Sequence, residues 1–307
     1  MDPCSDIKRV DGLLIVLAIW LSACQKREYV EPQASTSSPS YANSITLPSE
    51  PGTNFVLIAH AHTQGGKHVD LYADQATLRE GYHKFRVKVT LPNGQPYAGT
   101  DVRILPMMYM GTHNHSCPVE QIQGGPDANG FYEGAAFFMM PSMANQPWKM
   151  HVAVGLDTAD ITIQVNPHPD GWVRRGRQFG NPQNPPYIYG LTLNQRTVGT
   201  QTALFHVYYR DRSLPATNPS AFPPADNRVS QLEIVTYNPS TQQTVPGPQD
   251  ATPVSGKPGH YQGQANFPAS GTWHIIAKFK DPSNNLIGQD TFVVNITTVT
   301  SLNTPRR

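Results

Sequence analysis

Apolar residues along this chain recur mainly at every second position, in short runs separated by turn signals. His83-Lys84-Phe85-Arg86-Val87-Lys88-Val89 and Ile161-Thr162-Ile163-Gln164-Val165 alternate in this way, Phe55-Val56-Leu57-Ile58-Ala59 is a short continuous apolar run and Val102-Arg103-Ile104-Leu105 a mixed one, and all four read as strands, with Pro92-Asn93-Gly94 between two of them. Alternation of period two sends one face of each run to a core and the other to solvent. Close spacing by Pro, Gly and Asn then predicts strands rather than helices. The expected fold class is all-β, built as β-sandwiches.

The pattern occurs twice. Gly130-Phe131-Tyr132-Glu133-Gly134-Ala135-Ala136-Phe137-Phe138 is echoed by Gly259-His260-Tyr261-Gln262-Gly263-Gln264-Ala265-Asn266-Phe267. A proline follows each, Pro141 or Pro268, and a tryptophan then opens an alternating strand at Trp148 or Trp273. Upstream, Lys84-Phe85-Arg86-Val87-Lys88-Val89 matches Leu204-Phe205-His206-Val207-Tyr208-Tyr209. Internal similarity at one long period indicates tandem domains. They are placed at residues 54–168 and 187–298, with a linker at 169–186 in a Pro/Gly/Arg-rich stretch and a C-terminal tail at 299–307.

The N-terminal residues read as a targeting segment. Lys8 and Arg9 precede an apolar run from Leu13 to Leu21, too short to span a bilayer and of the length of a signal-peptide core. It ends in Leu21-Ser22-Ala23-Cys24, which resembles a bacterial lipobox. That resemblance implies a signal peptide at residues 1–23 and lipid on Cys24 as the new N-terminus, the alternative being a short uncleaved anchor. Residues 24–53, with Gln33-Ala34-Ser35-Thr36-Ser37-Ser38-Pro39-Ser40, carry no periodic apolar face and are expected to form a disordered tether. The expected location is extracytoplasmic, with lipid on Cys24 holding the protein to a bacterial membrane. Gln25 after the cysteine favours the outer membrane by resemblance to the usual sorting rule.

Charge narrows the partners. Of 23 basic and 22 acidic residues, Lys8, Arg9, Asp2, Asp6 and Asp11 precede Cys24, which leaves 21 against 19. A near-neutral mature chain without a basic block argues against nucleic acid as a partner. Cysteine usage narrows them further. Cys4 leaves with the signal and Cys24 takes lipid, so Cys117 is a lone thiol, either buried or held by a metal.

Methionine is distributed unevenly. Apart from Met1, all of it lies at Met107, Met108, Met110, Met139, Met140, Met143 and Met150, in a window that also holds His113, His115, His151 and Cys117. Methionine serves cores as a gap-filler without preference for place, so packing alone does not account for this clustering. Thioether, imidazole and thiol together are ligands for a soft transition metal, copper(I) first. Met108 and Met110 are separated by one residue, as are His113 and His115, so each pair faces one side if its backbone is extended. Met139 and Met140 are adjacent and cannot both reach one site unless Pro141 breaks the strand. The candidate ligands are therefore Met108, Met110, His113, His115, Cys117, Met139 and Met140. Met150 alternates with Val152 and Val154 and reads as core, while Met107 is out of phase and His151 lies on the solvent face with Lys149. The competing reading takes the methionines as packing and each His-x-His as an exposed strand feature. A further His-x-His, His60 and His62, precedes Gly65-Gly66 and His68; it reads either as a polar strand end or as a zinc or copper(II) site.

The order of these motifs resembles the YtkA-like family, related to FixH. Gly94-Gln95-Pro96 leads into Val102-Arg103-Ile104-Leu105-Pro106, then the Met/His segment, Gly130-Phe131-Tyr132 and Trp148. The resemblance implies immunoglobulin-like sandwiches in the extracytoplasm and a part in copper handling. It departs where the family has a glycine before the tryptophan and this chain has Pro147. The second copy has Val235-Thr236-Tyr237-Asn238-Pro239-Ser240-Thr241 at the equivalent place, without Met, His or Cys.

Catalysis is not expected. Neither Gly-x-Ser-x-Gly nor His-Glu-x-x-His occurs, and no His or Met follows Cys117 closely enough for a blue-copper loop. Two functions remain: copper buffering or delivery to a cuproenzyme or efflux partner, or a structural or adhesion-type envelope module without metal.

Overall fold

The computed structural model describes residues 55–111, 113–179 and 184–298. The expected signal peptide, Cys24, tether and tail lie outside the described residues. Within them the chain is all-β, with one short 3-10 turn at Pro219–Ala221.

The strands begin with β1 (Val56–His62), β2 (His68–Ala73), β3 (Leu78–Arg79) and β4 (Gly81–Thr90). Next come β5 (Val102–Met110), β6 (His113–His115), β7 (Val119–Glu120) and β8 (Phe131–Phe138). β9 (Trp148–Val154), β10 (Asp157–Ile163), β11 (Val165–Asn166) and β12 (Val173–Arg177) follow. The remainder are β13 (Tyr187–Leu193), β14 (Gly199–Tyr209), β15 (Gln231–Asn238), β16 (Gln243–Pro246), β17 (Gln249–Pro253), β18 (His260–Phe267), β19 (Gly271–Lys280) and β20 (Leu286–Ile296).

Two sheets enclose the first core. One runs β1-β2-β4-β8-β7 and the other β10-β9-β5-β6. The alternation read from the sequence decides which side chains face inward. In β9, Trp148, Met150, Val152 and Val154 are buried while Lys149 is exposed. They meet Val69, Leu71, Phe85 and Val87 of the opposing sheet in one buried cluster. Burial of such side chains is worth about 1.5–3 kcal/mol each.

A second cluster gathers Tyr189, Phe205, Tyr261, Trp273, Phe279 and Phe292. It lies within the sheet β12-β13-β14-β18-β17-β15-β19-β20, with β16 paired to β15. The repeated motifs occupy matching strands. β4 pairs β8 and β14 pairs β18; β5 pairs β9 and β15 pairs β19.

The stretch 169–186, expected to be a linker, includes β12, which pairs with β13. Its Trp172 is buried in the second cluster and donates its indole N–H to the Val293 carbonyl at 2.7 Å. Arg174 reaches Asp290 at 3.2 Å, and Tyr189 donates to the same carboxylate at 2.6 Å. These partners integrate residues 172–177 into the second sheet.

The strands of the two clusters also meet directly. Tyr82 of β4 stacks on His206 of β14, with ring centroids 4.3 Å apart and 10° between planes. The Tyr82 hydroxyl donates to Glu120 at 3.0 Å, and the other oxygen of that carboxylate contacts His260. His206 is buried, and burial with His260 beside it holds its pKa well below the usual imidazole value of 6.5. The unfolded chain therefore takes up a proton that the folded chain refuses. Stability is full above about pH 6.5 and falls as acid approaches the folded value. The thermal midpoint should drop between pH 7 and pH 5, and His206→Phe, which keeps the stack, should flatten that dependence. An unchanged pH slope in the variant would remove this account.

Candidate metal centre

The turn between β5 and β6 sets the geometry of the Met/His segment. Gly111 sits at φ +68°, where a side chain would add strain of about 1–2 kcal/mol, and it lets the chain reverse within two residues. The resulting register pairs Met108 with His115 and Met110 with His113. Cross-strand partners project to one face of a sheet and alternate residues share it, so all four side chains lie on the same side. A slip of one residue would send them to the other face.

That side is the inward one. Met108 is fully buried, Met110 and His115 are half-buried, and His113 is exposed, so the four form a gradient from core to rim. The opposing contribution comes from the end of β8. The strand stops at Phe138 and Pro141 cannot donate to a ladder, so the alternation of Met139 and Met140 breaks there. Met139 is buried in the core cluster. Met140 turns toward β6, where its Sδ lies 3.0 Å from His115 Nε2. Trp148 of β9 holds this arrangement, donating its indole N–H to the Met140 carbonyl at 3.1 Å and packing edge-on against the His115 ring at 5.3 Å.

The protonation of His115 follows from its other nitrogen. Nδ1 lies 2.8 Å from the Ser116 carbonyl oxygen, which only accepts, so Nδ1 carries the hydrogen. Burial lowers the His115 pKa, and the ring is neutral near pH 7. Nε2 therefore presents a lone pair directly to the thioether sulfur. Two electron-rich donors face each other without a proton between them, which an unprotonated His and Met do at an electrostatic cost that a cation relieves. Backbone orientation of the non-ligating imidazole nitrogen is also the usual support of a metal-bound histidine. With metal–ligand bonds of about 2.0–2.3 Å, such a pair needs a separation of about 3.5 Å, so half an ångström of opening admits an ion.

Cys117 stands apart. It is fully buried in the first core, and burial pushes its thiol pKa well up despite a contact with the Phe137 backbone. It is a protonated core residue in this arrangement. Met150 is buried in the same cluster. Met107 and His151 lie on the other face of this sheet from Met108 and Met150, Met107 buried there and His151 half-buried. There His151 bridges the Tyr109 hydroxyl at 2.9 Å and Asp160 at 2.6 Å, a linkage that periodicity alone does not reveal.

The second cluster offers an internal comparison. Trp273 donates its indole N–H to the Ala269 carbonyl at 2.9 Å, just as Trp148 does to Met140. Asn238 pairs with Gln243 across β15 and β16, as Met108 pairs with His115. Asn238 accepts hydrogen bonds from the Ser240 and Thr241 backbones. The tryptophan anchor and strand register are retained there, while Met140, Met108 and His115 give way to Ala269, Asn238 and Gln243.

Comparisons with known proteins add little. Neither a protein-family model nor a curated protein matches the chain. Among solved structures it is similar to invasin, a bacterial integrin-binding protein, at 11% identity and a TM-score of 0.24, covering 76% of this chain and 39% of that one. A protein from Corynebacterium diphtheriae described as membrane anchored matches at 8% identity and a TM-score of 0.26, covering 80% and 59%. Red sea bream transglutaminase matches at 10% identity and a TM-score of 0.19, covering 80% and 32%. The chain thus spans less than two thirds of the length of each, and likenesses at these scores carry no argument about function. Among the described residues no helix is long and apolar enough to cross a membrane, and no three His, Cys, Asp or Glu side chains are arranged to hold a metal ion. The donor that faces His115 is the Met140 thioether.

Proposed function

We propose that this protein is a membrane-anchored, extracytoplasmic metal-binding protein that buffers copper(I) or delivers it to a cuproenzyme or efflux partner. In this reading lipid on Cys24 tethers two immunoglobulin-like, YtkA-like sandwiches in tandem. The first carries the ion on His115, Met140, Met110 and Met108, with His113 at the rim as the point of entry and exit. Cys117 and Met139, first counted among the ligands, serve the core.

The observation that carries the proposal is the approach of the His115 Nε2 lone pair to Met140 Sδ, on the face that register gives to Met108 and Met110. Thioethers do not compete with protons, and an imidazole of lowered pKa competes little, so such a set holds copper(I) at mildly acid pH. Neutral ligands also leave the ion exchangeable with a partner offering thiolates.

The test is titration of the protein with copper(I) against a competing chelator. A variant carrying Met108→Leu, Met110→Leu, His113→Ala, His115→Ala and Met140→Leu is titrated beside it. Equal affinity of the two proteins would sink the site and leave the envelope-module reading.

A further inference from the structure

The hairpin of β1 and β2 carries a second set of donors, distant in the sequence from the first. β1 is an edge strand, and its register against β2 shifts between Leu57 and Ala59. A bulge of this kind re-aims every later side chain of the strand. Before it, Val56 pairs with the buried Ala73; after it, Ala59 pairs with the buried Leu71. Without the shift, His60 and His62 would share the inward phase of Val56. With it they lie outward, opposite Asp70 and His68.

The turn that closes this hairpin is well held. Thr63 N–H donates to the Lys67 carbonyl at 2.9 Å, Gly66 adopts φ +78°, and Lys67 forms an ion pair with Asp157 of β10. His62 and His68 are therefore kept opposite each other.

Their rings are 4.8 Å apart, and His62 Nε2 lies 3.2 Å from His68 Nδ1. The other nitrogen of His68 lies 2.8 Å from Asp70 Oδ1. A carboxylate accepts, so Nε2 carries the hydrogen and Nδ1 presents its lone pair to His62. This is the carboxylate–histidine support typical of bound zinc. Two imidazole nitrogens on one tetrahedral ion, each at about 2.0–2.1 Å, stand about 3.3 Å apart. The hydrogen-bonded separation found here is close to that, so little movement of the rings would admit an ion. His60 is exposed on the same face, its ring 5.6 Å from that of His68. The nearby Lys88, paired with Asp70, is drawn aside over the Phe131 ring at 5.2 Å.

We propose that His62 Nε2 and His68 Nδ1, joined by His60 turning toward them, form a separate site for a tetrahedral divalent ion of the zinc(II) class, with Asp70 orienting His68 and solvent at the fourth position. On binding, His62 changes tautomer: the hydrogen on Nε2 passes to solvent and Nδ1 takes one up, so the ring stays neutral and its Nε2 lone pair is free for the ion. The ion-free arrangement satisfies the nitrogens by mutual hydrogen bonding, which is why three donors do not already converge. Neutral imidazoles without thioethers suit zinc(II), whereas the His115 site suits copper(I), so the two sites sort ions by softness.

The test uses the untagged full chain titrated with zinc(II) against a chromogenic chelator, with cobalt(II) as the spectroscopic probe. The native protein and the five-residue Met/His variant should bind one zinc ion equally, and cobalt(II) should give the intense visible bands of tetrahedral coordination. His62→Ala with His68→Ala should lose at least a hundredfold in affinity, and Asp70→Asn roughly ten- to a hundredfold. All three positions face solvent, and circular dichroism checks that the variants stay folded. Zinc affinity unchanged in the double variant, or cobalt bands of octahedral intensity, would overturn the proposal. Neither result bears on copper(I).

Discussion

Replacing Met108, Met110 and Met140 together by leucine is expected to lower copper(I) affinity by more than about a hundredfold while leaving the protein folded at nearly native stability. Leucine and methionine have similar volumes, and exchanges between them in a core usually cost under about 1.5 kcal/mol each. Affinity is another matter. The swap deletes the sulfur and leaves the hydrocarbon, so packing and ligation are separated in one protein. Loss even of supporting residues around a metal commonly costs ten- to a hundredfold, and removal of ligands should exceed that. Thermal denaturation beside chelator competition checks both arms. A fall in stability with unchanged copper affinity would mean that the methionines are there for packing.

The largest loss of stability is expected at Trp148. Its side chain is fully buried, packs edge-on against Phe138 at 5.2 Å and His115 at 5.3 Å, and donates to the Met140 carbonyl. Trp148→Ala should destabilise by about 3–5 kcal/mol through lost burial and the cavity left behind. In a chain of this size that is a fall in melting temperature of roughly 6–20 °C. Copper affinity should fall too, because Met140 loses the bond that turns it toward His115. Trp148→Phe should recover much of the stability but not that hydrogen bond. A melting temperature within a degree or two of native for Trp148→Ala would refute this role.

Much of this arrangement is legible from residue order alone, because period-two alternation is a local signal. Trp148, Met150, Val152 and Val154 face the core as their spacing predicts, and the echoed motifs occupy corresponding strands. The pairing of Met108 and Met110 on one face follows from the same periodicity. What escaped depends on contacts distant in sequence. Trp172 and Arg174 sit among prolines, glycines and arginines that read as a linker, and only Val293 and Asp290, on β20, reveal a strand there. The choice between Met139 and Met140 required knowing where β8 ends. The burial of Cys117 required knowing which sheet covers it. The bulge that turns His60 and His62 outward leaves no local mark, since it arises in the register of β1 against β2.

The central claim is that thioethers and one imidazole hold the ion in the first core's rim. X-ray absorption at the copper edge of the copper(I)-loaded protein tests it most directly. The account predicts a mixed shell of sulfur and a single imidazole nitrogen in native protein and in Cys117→Ser, with sulfur scattering absent from the Met108→Leu, Met110→Leu, Met140→Leu variant. A shell of nitrogen and oxygen alone in the native protein, or sulfur scattering that disappears with Cys117→Ser, would contradict it.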